Sequence, residues 1–330
     1  MNSVGVLGAG SWGWTLAHLI TKNKHKAVIW TNNEDIAESI NKNGINPKRF
    51  YEFPLTGSYE ATTDLKDVFS KCELILIALP TKAIREVIKK SSKYIEGNHI
   101  IINTSKGIEI TTGKRITEII KEESCCKKIG VLSGPNLAKE ILEGYPAAAV
   151  VASNIKEVQE KAYSILHSGF FRIYLSYDIV GVELGGALKN IYAIASGIAE
   201  EMGFKINSIA FLLARSVSEM VRFGEKFGAK KETFFGLSGV GDLFATALSD
   251  LSRNKRFGKL IAQGKKPEEA LREIGETVEG YYTTKIAYEL AEKMGIKMNI
   301  LGAIYKILFL NYELPLALRE LLTSEIKEEF

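Results

Sequence analysis

Two lysines occupy positions from which an amine could act on a bound small molecule. Lys106 stands in Asn103-Thr104-Ser105-Lys106-Gly107, just after the apolar run Ile100–Ile102. If that run is a strand, Lys106 lies beyond its carboxyl end, the edge at which open parallel sheets hold ligands. Lys189 stands in Glu183-Leu184-Gly185-Gly186-Ala187-Leu188-Lys189-Asn190, inside a long helical pattern. Gly185 and Gly186 precede it by four and three residues and so share its helix face. Each costs the helix about 1 kcal/mol relative to Ala, which points to a need for space beside the amine, for a ligand or a second backbone. A close helix crossing with a solvated lysine would use the same glycines.

Further on, Gly236-Leu237-Ser238-Gly239-Val240-Gly241-Asp242-Leu243 reads as a glycine-rich turn that delivers Asp242 to a helix start. There Asp242 could cap the helix. Thr246, one turn later on the same face, could line a pocket with it. Ser252-Arg253-Asn254 precedes another helical pattern, Phe257–Ala262. The planar fork of Arg253 and the donors of a helix start suit a phosphate. Taken alone, the triplet reads as a cap followed by surface charges.

The chain opens with Ser3-Val4-Gly5-Val6-Leu7, then Gly8-Ala9-Gly10-Ser11-Trp12-Gly13, then a helical pattern through Leu16, Leu19 and Ile20. GxGxxG arises often by chance, but here it has a strand before it, a helix after it and a second strand at Ala27–Trp30. Gly8 would permit the tight turn, Gly10 would let the backbone approach a pyrophosphate, and Gly13 would let helix and strand pack closely. The pyrophosphate would sit on amides near Ser11 and Trp12, at the positive end of the helix. The alternative is a glycine-rich turn that holds no ligand. Cofactor choice is read at the end of the second strand, where Trp30-Thr31-Asn32-Asn33 precedes the first acid, Glu34. Asn32 is the candidate contact there. No acid repels a 2′-phosphate and no Arg binds one, so NAD and NADP are both permitted.

The elements that must position these residues change character along the chain. Apolar runs occur at Val4–Leu7, Ala27–Trp30, Leu74–Leu79, Ile100–Ile102, Ile129–Leu132, Ala147–Val151 and Phe171–Leu175. Helical patterns lie between several of them, at Thr81–Lys90, Thr111–Glu122 and Ile155–Leu166. Continuous apolar runs suit strands covered on both faces. After about Ser176 strand-like runs end and helical patterns continue to the C-terminus, with Glu325–Phe330 expected as a frayed or solvated helix end. The expected fold class is α/β: a Rossmann-type, doubly wound, mostly parallel sheet (residues 1–177), then an all-α substrate and catalytic domain (residues 178–330).

At 330 residues the chain is long enough for two such domains, and 46% hydrophobic with 25% charged residues is ordinary for a folded cytosolic protein. The net charge of +4 comes from scattered lysines. It could attract an anionic substrate but has no run to track a nucleic-acid backbone. Cys72, Cys125 and Cys126 form no CxxC, and His18, His25, His99 and His167 are isolated, so no metal site is expected and a reducing, cytoplasmic compartment is. Met1–Thr21 lacks charged residues but contains four glycines and no basic start, so it is read as the glycine-rich motif and no membrane span is expected.

Together these segments resemble the NAD(P)-dependent glycerol-3-phosphate dehydrogenase family over nearly the whole chain. The matching stretches are Gly8–Gly13, Ser105-Lys106-Gly107, Ser133-Gly134-Pro135, Glu183–Ile194, Gly236–Leu243, Ser252–Gly258 and Val278-Glu279-Gly280. The resemblance implies hydride transfer between the nicotinamide and C2 of dihydroxyacetone phosphate, giving sn-glycerol 3-phosphate, a phospholipid precursor. It implies that Lys189 is the general acid/base at the C2 oxygen, with Lys106 stabilising charge there and contacting both substrate and cofactor. A neighbouring cation would draw the Lys189 pKa toward neutrality. Asp242 would orient Lys189, with Asn190 and Thr246 adding polar contacts. Arg253, Asn254 and Ser252 would hold the substrate phosphate, and Gly134 and Asn136 would line the substrate. Val278 and Glu279 would close on the nicotinamide, with Ala138 and Arg253 also against the cofactor. A homodimer is implied as well.

The chain departs from the family at three places. Asn136 replaces the Ser or Thr usual in bacterial members, as in eukaryotic ones. Ala247 replaces a common Cys, and the Trp30–Asn32 segment lacks the Arg frequent in NADPH-using members. A two-domain dehydrogenase of 3-hydroxy acids or sugar acids is the competing enzyme reading, but it would not be expected to carry Lys106 with Gly239–Asp242 and Ser252–Asn254. A nucleotide-binding sensor would be favoured only if Lys189 or Asp242 were replaced.

Overall fold

A computed structural model describes residues 2–323; the expected helix end at Glu325–Phe330 lies outside them. The first half runs β1 (Ser3–Leu7), α1 (Ser11–Lys22), β2 (Lys26–Trp30), α2 (Glu34–Asn43), β3 (Tyr59–Thr62) and α3 (Leu65–Lys71). It continues through β4 (Leu74–Ile77), α4 (Thr81–Ser91), β5 (Ile100–Asn103), α5 (Ile116–Glu123) and β6 (Lys128–Ser133). It closes with α6 (Ala138–Leu142), β7 (Ala147–Ala152), α7 (Lys156–Leu166) and β8 (Phe171–Ser176). The eight strands form one sheet in the order β3-β2-β1-β4-β5-β6-β7-β8, parallel at every pair except β6–β7.

Neighbouring residues of each central strand serve opposite faces of this sheet, because strand side chains alternate. Leu74 and Leu76 pack with Leu16 of α1 and Ile165 of α7. Ile75 and Ile77 pack with Val68 of α3, Ile84 of α4 and Ile119 of α5. Both faces are covered, so the inner strands are apolar over most of their length.

All seven apolar runs are strands. The eighth, β3, escapes an apolar-run criterion because it is a sheet edge: of Tyr59–Thr62 only Ala61 is buried, and Glu60 pairs with Lys26 at 2.7 Å. The helical pattern at Thr111–Glu122 starts too early. Gly113 has a left-handed φ of 70°, Ile108 bridges Arg115, and α5 begins only at Ile116, with Glu118 accepting from Arg115 N at 2.8 Å.

The second half is helical: α8 (Ile179–Glu201), α9 (Ile206–Lys226), α10 (Lys231–Phe234), α11 (Asp242–Leu248), α12 (Arg253–Ala262), α13 (Pro267–Ile274), α14 (Glu279–Met294), α15 (Asn299–Phe309) and α16 (Leu314–Leu322). Helix α8 is its axis, buried from Gly181 to Ile198 and packed against α9, α11, α12, α14, α15 and β6. A helix buried all round is apolar all round, which makes its few polar residues conspicuous. Asp178 caps α8 by accepting from Gly181 N at 2.9 Å, and its other oxygen takes Lys230 N at 2.9 Å and Thr233 Oγ1 at 2.6 Å. Among the described residues no helix is long and apolar enough to cross a membrane.

Candidate active site

The strand order reverses direction between β1 and β4, which opens a crevice at their carboxyl ends. The turn from β1 to α1 lies there. A methyl group on Gly13 would fall 1.9 Å from Gly8 O, and one on Gly8 would fall 2.5 Å from Ala78 O. Nothing lies within 4 Å of where a Gly10 methyl would be. The turn is therefore tight against its own strand and helix yet open above Gly10, a cradle that a pyrophosphate fits. Ser11 and Trp12 begin α1, whose first-turn amides have no partner within the helix. Asn46, fully buried in the loop after α2, holds the turn by donating to Ala9 O at 2.7 Å. At the end of β2, Asn32 is exposed, while Asn33 caps α2 through Ile36 N at 2.9 Å.

On the same edge of the sheet, Asp242 joins the two lysines. Its Oδ2 accepts from Lys106 Nζ at 2.6 Å, and its Oδ1 lies 2.9 Å from Lys189 Nζ. Lys189 also donates to Thr246 Oγ1 at 2.5 Å, and Lys106 to Gly134 O at 2.9 Å. Lys189 and Asp242 are 5% and 1% exposed, so the alternative of a solvated lysine at a helix crossing fails. Two cations and one carboxylate leave a surplus positive charge in a nearly dry pocket, suited to an oxygen that gains negative charge. Burial is the first cause of a Lys189 pKa lowered to about 8; Asp242 opposes it, and the charges of Lys106 and Arg253 add to it. The expected neighbouring cation contributes, but removal from water leads.

The glycines beside Lys189 make room for protein rather than ligand. A methyl on Gly185 would meet Ser238 O at 2.5 Å, and one on Gly186 would meet Ser133 Oγ at 2.4 Å and Lys106 Cγ at 3.5 Å. The glycine-rich stretch before Asp242 is a single wide turn over Leu237–Gly241, closed by Gly241 N donating to Gly236 O, five residues back, at 3.1 Å. It runs straight into α11, and Asp242 is already helical. Asp242 is thus no cap; its carboxylate is turned to the lysines.

A hydrogen-bond relay ties the surrounding elements together. Gly280 N donates to Asn254 Oδ1 at 2.9 Å, Asn254 Nδ2 to Asn190 Oδ1 at 2.8 Å, and Asn190 Nδ2 to Lys106 O at 3.3 Å. Glu279, beside that turn, accepts from Thr81 N at the start of α4 at 3.0 Å. Burial raises its pKa. Val278 is fully buried in the helical core. Ser252 caps α12 through Lys255 N at 3.2 Å. Arg253 reaches Glu276 at 3.3 Å, and Glu276 also takes Arg49 from the loop after α2 at the same distance. Asn136 donates to Ala148 O at 3.0 Å and leaves its buried Oδ1 without a partner. Ala138 begins α6, half-buried.

The structure thus gathers Lys106, Lys189, Asp242, Thr246, Asn190, Asn254 and Gly134 into one cluster. It sets Gly8–Gly13 and Asn32 at the sheet edge beside it, and Arg253 on the rim. Three contributors escaped sequence reasoning. Asn46 and Glu276 belong to loops without a motif. Glu183 bonds to Asn103, Arg115 and Thr117, partners no local pattern could pair with it. An acid inside an otherwise apolar helix was the available signal.

Residues 3–159 match the family described as NAD-dependent glycerol-3-phosphate dehydrogenase N-terminus, and residues 178–319 the one described as its C-terminus. The chain is 42% identical over 329 residues to a glycerol-3-phosphate dehydrogenase (NAD(P)+) of Halothermothrix orenii, covering 99% of this chain and 96% of that one. It is 39% identical to the protein of that name from Macrococcus caseolyticus, with both chains wholly covered. The crystal structure of glycerol-3-phosphate dehydrogenase from Coxiella burnetii superposes with a TM-score of 0.93 at 34% identity, over 98% of this chain and 99% of that one.

Proposed function

The chain belongs to the NAD-dependent glycerol-3-phosphate dehydrogenase family, and from that premise we propose that it interconverts dihydroxyacetone phosphate and sn-glycerol 3-phosphate with NAD or NADP. The observation that carries the reading is Asp242 bonded to Lys189 on one oxygen and Lys106 on the other, at the sheet edge beside the glycine cradle.

A bound NAD(P) would supply or take the hydride at C2 through its nicotinamide. Gly8, Gly10, Ser11, Trp12 and Gly13 would hold its pyrophosphate, Asn32 would face the adenosine end, and Ala138, Val278, Glu279, Lys106 and Arg253 would line the remainder. In reduction, the Lys189 ammonium gives a proton to the C2 oxygen; in oxidation, the neutral amine removes it. A pKa of about 8 lets one group do both near neutral pH. Lys106 holds the charge that grows on that oxygen. Asp242 keeps both amines aimed and, with Thr246, restrains the Lys189 rotamer. Arg253, Ser252 and Asn254 bind the phosphate at the start of α12, where helix amides add donors. Asn190, Gly134 and Asn136 complete the substrate contacts.

The division into residues 1–177 for the cofactor and 178–330 for the substrate belongs to this proposal. So do a homodimeric, cytoplasmic enzyme and a supply of glycerol 3-phosphate to phospholipid synthesis. Purified protein mixed with dihydroxyacetone phosphate and NADH or NADPH tests the reading by the loss of reduced-nicotinamide absorbance. Turnover with either supports it, and the ratio of the two rates gives the cofactor preference. Folded protein that binds cofactor but consumes none with this substrate overturns it.

A further inference from the structure

Glu183 is a buried acid with no part in the proton and phosphate chemistry above. It lies on α8 six residues before Lys189 and is 3% exposed. Its Oε1 accepts from Thr117 N at 2.9 Å and Asn103 Nδ2 at 3.4 Å; its Oε2 accepts from Thr117 Oγ1 at 2.6 Å and Arg115 Nη1 at 2.9 Å. A carboxylate persists away from water only when its charge is countered and its lone pairs are filled. Arg115 supplies the charge, and the four bonds fill the lone pairs. Thr117 N is also one of the amides that the start of α5 leaves without an intrahelical partner, where an anion is favoured by the helix dipole.

All three partners belong to the sheet half, and one leads to the reacting groups. Asn103 ends β5, and its side chain brackets Ser105: Oδ1 accepts from Ser105 N at 2.9 Å and Nδ2 donates to Ser105 O at 3.1 Å. The next residue is Lys106. Seven residues beyond Glu183 on the same helix, Asn190 donates to Lys106 O at 3.3 Å. Helix α8 therefore grips the Lys106 loop at two points about two helical turns apart, with Gly186 pressed against Lys106 between them.

We propose that Glu183 is a positioning residue for this site: through Asn103 and the start of α5 it sets where the Lys106 amine stands relative to Lys189. The inference rests on the acid/base reading of Lys189 given under Proposed function. A buttress with no bearing on the chemistry would behave differently when removed. It would cost stability and active fraction, yet the folded molecules would turn over as before with the same pH profile.

The test compares wild type, Glu183→Gln and Asn103→Ala in reduction of dihydroxyacetone phosphate. Displacing Lys106 lowers kcat roughly 10–100-fold, the scale of an ångström-sized misplacement, in variants that still bind NADH. The groups facing Lys189 are Asp242, Thr246, Lys106 and Arg253. Because Lys106 helps hold its pKa down, the pH limb of Lys189 moves upward in the variants. Asn103→Ala breaks the link while Glu183 keeps its bonds to Arg115 and Thr117, so it carries the test if Glu183→Gln does not fold. The double variant falls no further than the single ones, as residues acting in one chain do. Wild-type protein without activity overturns both this inference and the reading beneath it. An active wild type beside folded variants of unchanged kcat and unchanged pH limb overturns this inference alone.

Discussion

Lys189 Nζ lies 2.9 Å from Asp242 Oδ1, within a contact whose second oxygen is already taken by Lys106. One carboxylate serves two amines, and its pull on Lys189 opposes the effect of burial. Replacing it by an amide must therefore lower the Lys189 pKa further. Asp242→Asn is expected to cut kcat roughly 10²-fold or more and to move the high-pH limb of the reduction profile toward lower pH. A limb that stays in place, or rises, removes Asp242 from its role as counterion.

The pH dependence of the unmodified protein follows from the same amine. The Lys189 pKa is lowered to about 8, so the proton donor is lost as pH rises through that value. Reduction of dihydroxyacetone phosphate is expected to decline above about pH 8, and oxidation of glycerol 3-phosphate to increase over the same range. Rates measured in both directions, with substrate saturating, check the sign. Two profiles that fall together would assign the limb to another group.

Lys189→Ala removes the proton carrier while Asp242 keeps Lys106 as its partner. The expected result is a folded protein that binds cofactor normally and turns over roughly 10²–10⁴-fold more slowly. Near-normal kcat would count against the assignment, as would a variant that loses cofactor binding along with activity.

Arg253→Ala should act on substrate affinity. The side chain is partly exposed and held by Glu276, which keeps Arg49 when Arg253 is gone. Charged hydrogen bonds to a phosphate contribute about 1.5–3 kcal/mol, so the KM for dihydroxyacetone phosphate is expected to rise about 10–100-fold, with a smaller change in kcat. An unchanged KM moves the phosphate contact elsewhere.

Gly10 and Gly13 should separate ligand from fold. A methyl at Gly13 collides with Gly8 O, whereas one at Gly10 meets nothing within 4 Å. Gly13→Ala is expected to destabilise the protein by about 1–3 kcal/mol, the scale of an overpacked interior, seen as a lower Tm. Gly10→Ala should alter stability by no more than about 1 kcal/mol but weaken NADH binding, measurable by fluorescence titration. If both variants bind NADH as the wild type does, the turn is not the pyrophosphate cradle.

Sequence alone determined the features whose physical cause is local. Six central strands announce themselves because residues covered on both faces are mostly apolar, edge strand β8 by its own apolar run, and the glycine turn because only glycine tolerates the crowding at Gly8 and Gly13. The sequence places Lys106 at the sheet edge by its distance from a strand end, and Lys189 on a helix by the long helical pattern around it. Tertiary structure alone decided how these groups act on one another. Asp242 and Lys106 are separated by 136 positions, and no period or motif states that one carboxylate bridges both lysines. That burial, more than the second cation, governs Lys189 depends on helices packing around α8 from every side. Edge strand β3 and the Glu183 link to Asn103 were hidden for the same reason. Each is stabilised by partners remote in the chain, and a sequence displays periodicity and turn chemistry but not which distant surfaces meet.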